Sequence, residues 1–371
     1  CEKMETHIST LGIPEDILQI TPVWLTQALK YKGSTSEASV VSYSVETIGQ
    51  EFGFMNHNAR LRVEYDSDPD GLPATVIIKL PSTDHDLRTI GSKIGNAMRE
   101  VRFYEELSAD SILQTPHSYY GAADPETGRT VLLLEDMGTA SKGDSVVGCS
   151  IEQATLAMSE LAKFHDVWWE NPGLEQLEWL PLRESDAVLY QNLYAEGWEL
   201  LAKQIPSGMP RALEDISDRI YEAIPDLKSQ LTKSPRTIVH GDYRPDNFFF
   251  GTCSDSSSFV VFDWEFCVRG RGVYDVATFI SEAFTPERRK DVEMDLLRQY
   301  HSSITKNITG AYSFEECVQD YRASIMEVFG FWVAIGGFCD FGGERATTFL
   351  QNAAERFSAA ISDLDCADLL R

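Results

Sequence analysis

Two short polar segments, each next to an apolar run typical of a β-strand, carry most of the reactive side chains. The first is His240–Asn247 (HGDYRPDN), and the second is Val260–Glu265 (VVFDWE). We expect Asp242, Asn247 and Asp263 to meet at one end of a small β structure. One carboxylate can accept a hydroxyl proton, while an amide oxygen and a second carboxylate can hold Mg²⁺ against nucleotide phosphates. These residue types indicate phosphoryl transfer.

The same residues resemble a known group of enzymes, the aminoglycoside phosphotransferase and choline kinase superfamily, which are relatives of the protein kinases. His240–Asn247 matches the pattern H-G-D-x-x-x-x-N, and Asp263 stands where protein kinases have D-F-G. The resemblance implies that Asp242 is the catalytic base and that Asn247 and Asp263 bind Mg²⁺. Arg244 is expected to neutralise charge on the γ-phosphate. The implied cofactors are ATP and Mg²⁺, and the implied acceptor is a hydroxyl group of a small molecule.

Three further motifs look closest to the ecdysteroid-kinase-like branch of that superfamily and its bacterial relatives. They are Arg99–Tyr104 (REVRFY), Leu132–Asp136 (LLLED) and Leu161–Trp169 (LAKFHDVWW).

The elements that would position these residues divide the chain into an extension at 1–36, a β-rich lobe at 37–138 and a helical lobe at 139–371. The first part contains a short helix near Thr21–Leu29. The β-rich lobe is predicted to have five strands and one helix, Lys93–Ala109, inserted after the third strand. The predicted strands are Val40–Ile48, Ala59–Tyr65, Ala74–Leu80, His117–Ala123 and Arg129–Glu135.

The helical lobe should contain one β island within a series of helices. The predicted helices are Ile151–Trp169, Ala187–Gln204, Arg211–Leu231, Asp275–Phe284, Pro286–Lys306, Phe314–Phe338 and Glu344–Asp363; the island strands are Thr237–His240, Phe248–Gly251 and Phe259–Asp263. The fold class is therefore α+β, and the resemblance implies a bilobal protein-kinase-like fold with a small five-stranded antiparallel sheet.

The β-rich lobe should hold the nucleotide. Lys79 lies within an apolar strand, where a lysine is costly to bury without an anionic partner. Glu100 shares a helical face with apolar residues, and the resemblance implies a Lys79–Glu100 pair that places the ammonium on the α- and β-phosphates. The remaining predicted nucleotide contacts are Gly49 and Gly53 in a phosphate-covering turn, and the backbone of Glu135 and Met137 at the joint between the lobes.

The acceptor should bind among residues that follow the catalytic segments. The candidates are Glu282, Trp332 and Asp340, because acids and aromatics can hold an amine or a quaternary ammonium group. Trp332 also belongs to a helical stripe that is typical of a core. His240 and His165 are interpreted as packed imidazoles, and Asp275 as a helix cap that the resemblance suggests also braces the catalytic loop.

Composition limits the possible partners. The 371 residues include 32 Lys and Arg against 58 Asp and Glu, a formal net charge of -26. Such a chain should repel nucleic acid. The charge is typical of a solvated acidic surface, although attraction of a cationic substrate stays open.

Seven scattered cysteines without a C-x-x-C pair predict a reducing, cytoplasmic location, and no secretory signal or membrane span is expected.

Two alternatives to a small-molecule kinase remain at this stage. A catalytically silent kinase-like protein would keep the same residues without turnover. A metal-dependent phosphohydrolase would need clustered histidine ligands, and only seven histidines are present. The chain is expected to act as a monomer or a homodimer.

Overall fold

The structure is a computed structural model that describes residues 11–48, 56–82, 85–138, 140–251, 258–306, 312–339 and 341–370. The chain divides into two compact units. The first contains the residues up to 138 except 112–114, and the second contains 112–114 and everything from 139 onward.

The first unit is a five-stranded antiparallel sheet with three helices. Its elements are α1 (Pro22–Lys30), β1 (Val40–Thr47), β2 (Asn56–Tyr65), β3 (Thr75–Pro81), α2 (His85–Ile94), α3 (Asn96–Glu106), β4 (Ser118–Asp124) and β5 (Arg129–Glu135). The strand order is β1-β2-β3-β5-β4, so β5 lies between β3 and β4. The five predicted strands and the antiparallel sheet are confirmed.

Helix α1 packs on one face of this sheet. Thr21 caps it, because the Thr21 hydroxyl accepts a hydrogen bond from the Trp24 backbone and Pro22 occupies the first turn. Trp24, Leu25, Ala28 and Leu29 form one buried stripe that joins the sheet residues Leu61 and Ile78 in a single apolar core.

The prediction of one inserted helix is wrong, because two helices lie between β3 and β4. Helix α2 ends at Ile94, and α3 begins at Asn96. Gly95 separates them with a left-handed backbone (φ 72°), a conformation that glycine adopts without a steric penalty and that an α-helix cannot continue through.

The second unit is mostly helical. Its elements are β6 (Ser141–Lys142), α4 (Ile151–Trp168), α5 (Ala187–Gln204), α6 (Arg211–Glu214), α7 (Ser217–Gln230), β7 (Thr237–Val239), β8 (Phe248–Phe250), β9 (Phe259–Val261), β10 (Val268–Gly270), α8 (Val273–Ala283), α9 (Pro286–Ile304), α10 (Phe314–Gly336) and α11 (Glu344–Asp363). The predicted helix Arg211–Leu231 is divided at Asp215–Ile216, where the Ile216 N–H bonds to the Leu213 carbonyl, three residues back, instead of to the carbonyl four residues back.

The predicted single β island is two small sheets. Strand β7 pairs with β10, while β8 lies between β6 and β9. Strands β6 and β10, which contain two and three residues, were not predicted from the sequence. Strands this short carry too little alternation to be recognised without their partners.

Within the described part of the chain, none of the helices combines the length and the apolar character that a membrane span requires.

Candidate active site

The loop after β7 is held by one buried carboxylate. Asp275 Oδ2 accepts a hydrogen bond from the His240 backbone N–H (2.7 Å), and its Oδ1 accepts one from the Gly241 N–H (2.9 Å). The expected helix cap is wrong, because α8 begins at Val273 and Asp275 lies inside its first turn. The suggested bracing of the loop is confirmed. His165 adds a third contact, Nε2 to Asp275 Oδ2 at 3.3 Å, and is itself fully buried as predicted.

Gly241 is required by a close backbone approach. Its φ is +87°, and a Cβ atom there would lie 2.2 Å from the carbonyl oxygen of Phe266. Only glycine satisfies both conditions. The close approach of Gly241 to Phe266 sets the path of the loop directly before Asp242.

His240 joins the two segments that the sequence singled out. Its Nδ1 accepts a hydrogen bond from the Asp242 backbone N–H (3.2 Å), so the proton of a neutral ring is on Nε2, which donates to the Phe262 carbonyl (3.1 Å). Burial lowers the pKa of His240, although Asp275 and Asp242 oppose that shift. The predicted packed imidazole that bonds to backbone is confirmed.

Two side chains bond to Asp242. Asn247 Nδ2 donates to both the backbone oxygen and Oδ2 of Asp242 (2.9 Å each), and Arg244 Nε donates to the same Oδ2 (3.1 Å). Glu282, at the end of α8, lies 3.5 Å from Arg244 Nη1. The structure therefore brings together four of the residues predicted from the sequence.

The charges in this cluster shift two pKa values. Burial alone would lower the pKa of Arg244, but Asp242 and Glu282 raise it by more than burial lowers it. The net pKa lies above the ordinary value, so the guanidinium is a permanent cation. Burial raises the pKa of Glu282 to about 7; Arg244 opposes this shift, and the nearby Asp242 adds to it. Glu282 is therefore a carboxyl group that titrates near neutral pH.

Asp263 follows β9 and is tied to the same loop. The Phe262 backbone N–H donates to the Asn247 carbonyl (3.1 Å), which links the residues before Asp263 to the loop. Asp263 has a left-handed backbone (φ 70°, ψ 60°), uncommon for a residue with a side chain and often found at functional sites.

The oxygen donors of these segments fit Mg²⁺. The Asn247 amide nitrogen is used by Asp242, so Oδ1 is the atom of that side chain that can coordinate a cation. The carboxylate of Asp263 is a second donor of the hard oxygen type that Mg²⁺ prefers.

In the first unit, Lys79 and Glu100 form a buried ion pair. Lys79 Nζ lies 2.8 Å from Glu100 Oε1 and 2.6 Å from Oε2, and the two residues are 9% and 3% exposed. Lys79 points to the opposite face of β3 from Ile78 and Leu80, because side chains alternate along a strand. Residue 79 therefore belongs to the face of the sheet that does not hold α1.

The segment that follows β5 is fixed by a residue that the sequence reading missed. Arg60 donates from Nε to Asp136 Oδ2 (2.6 Å) and from Nη2 to Oδ1 (3.1 Å), a bidentate pair. Burial opposes ionisation of Asp136, but Arg60 and the Gly138 N–H outweigh it and lower the pKa of Asp136. Asp136 lies between Glu135, the last residue of β5, and Met137. Strand register was the missing signal, because Arg60 on β2 pairs with Ile77 on β3, which pairs with Leu134 on β5.

The remaining predicted residues lie elsewhere. Trp332 is 6% exposed, and its ring packs against Phe329 and Phe357, so it belongs to the core of the second unit. Gly49, Gly53 and Asp340 lie outside the residues that the structure describes.

Comparison with known proteins identifies the family. Residues 70–312 match the sequence model of the phosphotransferase enzyme family known as APH. Because this match covers more than half of the 371 residues, the chain belongs to the phosphotransferase enzyme family. A search of curated proteins found no significant match.

Solved structures share the fold. An ethanolamine kinase from Plasmodium vivax superposes with a TM-score of 0.53 at 14% identity, covering 91% of this chain and 86% of that one. The choline kinase LicA from Streptococcus pneumoniae gives 0.51 at 17%, covering 90% and 97%. Aminoglycoside 2'-phosphotransferase-IIIa in its GDP complex gives 0.50 at 14%, covering 92% and 99%. The protein thus has an α+β kinase-like fold, with a five-stranded antiparallel sheet in its N-terminal part and a mostly helical C-terminal part.

Proposed function

We propose that this protein transfers the γ-phosphate of ATP to a hydroxyl group of a small molecule. The observation that carries the proposal is the convergence of Arg244 and Asn247 on one oxygen of Asp242, with Asp263 linked to the same loop. Family membership supports phosphotransfer. The solved relatives include LicA in complex with AMP and the aminoglycoside enzyme in complex with GDP, which supports a nucleotide as the donor.

In this proposal Asp242 is the catalytic base. Among the described residues, two donors occupy Oδ2, which favours Oδ1 as the oxygen that receives the hydroxyl proton. The acceptor oxygen then bonds to the γ-phosphorus as the bond from that phosphorus to the β-phosphate oxygen breaks, and ADP leaves. Arg244 balances charge on the phosphoryl group.

The nucleotide would be held by residues from the first unit. Lys79, oriented by Glu100, would pair with the α- and β-phosphates, and the backbone of Glu135 and Met137 would contact adenine. Gly49 and Gly53 would cover the phosphates. Mg²⁺, held by Asn247 and Asp263, would supply charge neutralisation when bound.

The acceptor is proposed to contact Glu282 and Asp340. Trp332 was also predicted to do so, but it packs in the core of the second unit and is left out of the proposal. Glu282 is the better supported of the two, because its carboxyl group is 3.5 Å from Arg244. Within the family, the REVRFY, LLLED and LAKFHDVWW motifs favour the ecdysteroid-kinase-like branch.

The direct test is ATP consumption with a panel of hydroxyl compounds: sugars, amino alcohols, sterol-like alcohols and aminoglycosides. Asp242→Asn should lower the rate of phosphate transfer by at least about 10³-fold while Mg-ATP binding is retained. Asp218→Asn, an exposed residue on α7, is the matched control and should behave as wild type. Unchanged turnover in Asp242→Asn would reject this base, and nucleotide binding without transfer to any acceptor would favour the silent kinase-like alternative.

A further inference from the structure

The buried carboxyl group of Glu282 contacts the catalytic loop through Arg244. Glu282 is 5% exposed and lies in the last turn of α8. Its carboxyl group faces Arg244, the residue that also binds Asp242. Arg244 Nε is 3.1 Å from Asp242 Oδ2, and Nη1 is 3.5 Å from Glu282 Oε2. One guanidinium is thus shared by two carboxyl groups from separate elements.

The backbone of Glu282 is itself held in place. Arg356 on α11 donates from Nη1 to the carbonyl oxygen of Glu282, and the same nitrogen donates to the carbonyl of Ser145 (2.7 Å). The Arg356 side chain is buried, and its position is set by helix packing. The Glu282 side chain therefore reaches Arg244 from a fixed point rather than from a loose helix end.

Arg244 keeps hydrogen-bonding capacity beyond these two contacts. A guanidinium has five N–H donors, and the contacts of Arg244 with Asp242 and Glu282, as the described residues show them, use one on Nε and one on Nη1. The other donors suit the oxygens of a phosphoryl group, which arginine binds through two parallel hydrogen bonds. The Phe349 ring, 5.5 Å from the guanidinium carbon, limits the side chain on another side.

We propose that Glu282 is a positioning residue that, together with Asp242, fixes Arg244 so that its remaining N–H groups meet the γ-phosphoryl oxygens during transfer. This inference rests on the proposed function and replaces direct acceptor contact as the main role of Glu282. A long arginine side chain loses conformational entropy when it is fixed in one rotamer. Because Asp242 and Glu282 already fix Arg244, less of this entropy has to be lost when the transition state forms.

The charge state of Glu282 decides how firmly Arg244 is held. The groups that face Glu282 are Arg244, Asp242 and Asp246 from the catalytic loop and Arg356 from α11. Burial raises the pKa of Glu282 to about 7, the two aspartates add to the shift, and the two arginines oppose it. Above that pH the contact is an ion pair between two charged groups, and below it the contact is a weaker hydrogen bond from the charged guanidinium to a neutral carboxyl group. Transfer should therefore increase with pH through about 7.

The test compares Glu282→Gln, which keeps the size of the side chain but removes its charge, with wild type from pH 5.5 to 9. The matched control is Glu287→Gln, an exposed residue in the first turn of α9. Mg-ATP turnover is measured with the acceptor found in the hydroxyl panel. We expect kcat of Glu282→Gln to fall about tenfold, with KM for ATP changed less than about twofold. The rise of kcat near pH 7 should disappear in this variant alone.

A double-variant comparison separates positioning from an independent role. If Glu282 acts through Arg244, the variant carrying both Glu282→Gln and Arg244→Met should be no slower than Arg244→Met alone. Multiplicative losses, or a Glu282→Gln variant with the wild-type pH profile and rate, would overturn the inference. If Glu282→Gln does not fold, Glu282→Asp, which shortens the reach to Arg244, takes its place in the same comparison.

The inference and the proposed function fail in different ways. A wild type that transfers no phosphate to any acceptor overturns both. A wild type that transfers phosphate, with Glu282→Gln equal to it at every pH, overturns only the role of Glu282.

Discussion

The backbone of Phe262 makes two hydrogen bonds to the catalytic loop: its carbonyl accepts from His240 Nε2 at 3.1 Å, and its N–H donates to the Asn247 carbonyl at 3.1 Å. Phe262 directly precedes Asp263. The base-bearing loop and the second carboxylate are thus fixed relative to each other by main-chain hydrogen bonds. Such preorganisation is what phosphoryl transfer needs, because positioning supplies most of its catalysis.

Replacing Gly241 should disturb this arrangement by collision. Gly241→Ala would place a methyl group 2.2 Å from the Phe266 carbonyl oxygen, and φ +87° adds strain. Gly208→Ala is the matched control, since Gly208 has φ +73° and open space around it. We expect about 1 kcal/mol of destabilisation for Gly208→Ala and at least about 3 kcal/mol for Gly241→Ala, with loss of transfer, measured by urea unfolding. Equal losses in the two variants would show that the close approach is not important.

Lys79→Met should impair the use of nucleotide. It removes the ammonium proposed to hold the phosphates and leaves Glu100, 3% exposed, without that cation. We expect kcat/KM for ATP to fall by about 10²-fold or more, together with a lower melting temperature. Lys32→Met is the control, because Lys32 pairs with Glu105 in the same unit but is one-third exposed. Steady-state kinetics over ATP concentration provide the measurement, and an unaltered kcat/KM would remove Lys79 from the proposed site.

Glu327→Gln should destabilise the helical unit. Glu327 is buried between Arg183, which donates to its Oε2, and Lys228, whose Nζ is 3.0 Å from its Oε1. Burial opposes ionisation of Glu327, but the two cations outweigh it and lower its pKa. Removing the charge leaves two buried cations, at a cost of about 3–5 kcal/mol. Denaturant unfolding measures this, and the exposed Glu315→Gln should change stability by less than about 0.5 kcal/mol.

The lowered pKa of Glu327 predicts how the stability of the protein depends on pH. A lowered pKa means that the contribution of Glu327 is present above its unfolded pKa and is lost as pH falls through the lower folded value. Wild type should therefore lose stability in acid more steeply than Glu327→Gln. Parallel unfolding curves from pH 7 to pH 3 would contradict this.

Glu282 should make an opposite contribution. Its folded pKa of about 7 lies above the ordinary value of 4.5, so its contribution to stability is present below pH 4.5 and is lost as pH rises through about 7. The expected loss is on the order of 3 kcal/mol between pH 4.5 and pH 8. Glu282→Gln should lack this loss, whereas Glu287→Gln should keep it. Thermal unfolding at pH 5 and pH 8 makes the comparison, and identical pH dependence in wild type and Glu282→Gln would mean that Glu282 does not titrate in this range.

Local pattern was enough to predict much of the secondary structure. The alternation in Ala59–Tyr65 and the apolar run before Lys79 predicted β2 and β3, because a half-buried strand repeats every two residues. The pattern did not show the break at Gly95, since an isolated glycine is tolerated within a helical pattern and only the conformation of the chain decides whether the helix stops there.

The candidate site was only partly accessible to sequence reasoning. The two polar segments predicted that Asp242, Asn247 and Asp263 lie at one end of a small β structure. Asn247 contacts Asp242, and the residue before Asp263 is bonded to the same loop. Asp275 was interpreted as a helix cap, since a carboxylate near a helix start usually has that role. Its actual partners, the His240 and Gly241 N–H groups, are 35 and 34 residues away, and no local pattern could show them.

By itself, the sequence determined the residue types of the site, most of the strands and helices, and the resemblance that led to the family, because these depend on neighbours within about ten residues. The tertiary structure alone decided that Arg60 holds Asp136, that His240 donates to Phe262, and that Glu282 reaches Arg244. Hydrogen bonds and ion pairs depend on distances of a few ångströms. Packing sets such distances between residues far apart in the chain, and that is why they could not be predicted in advance.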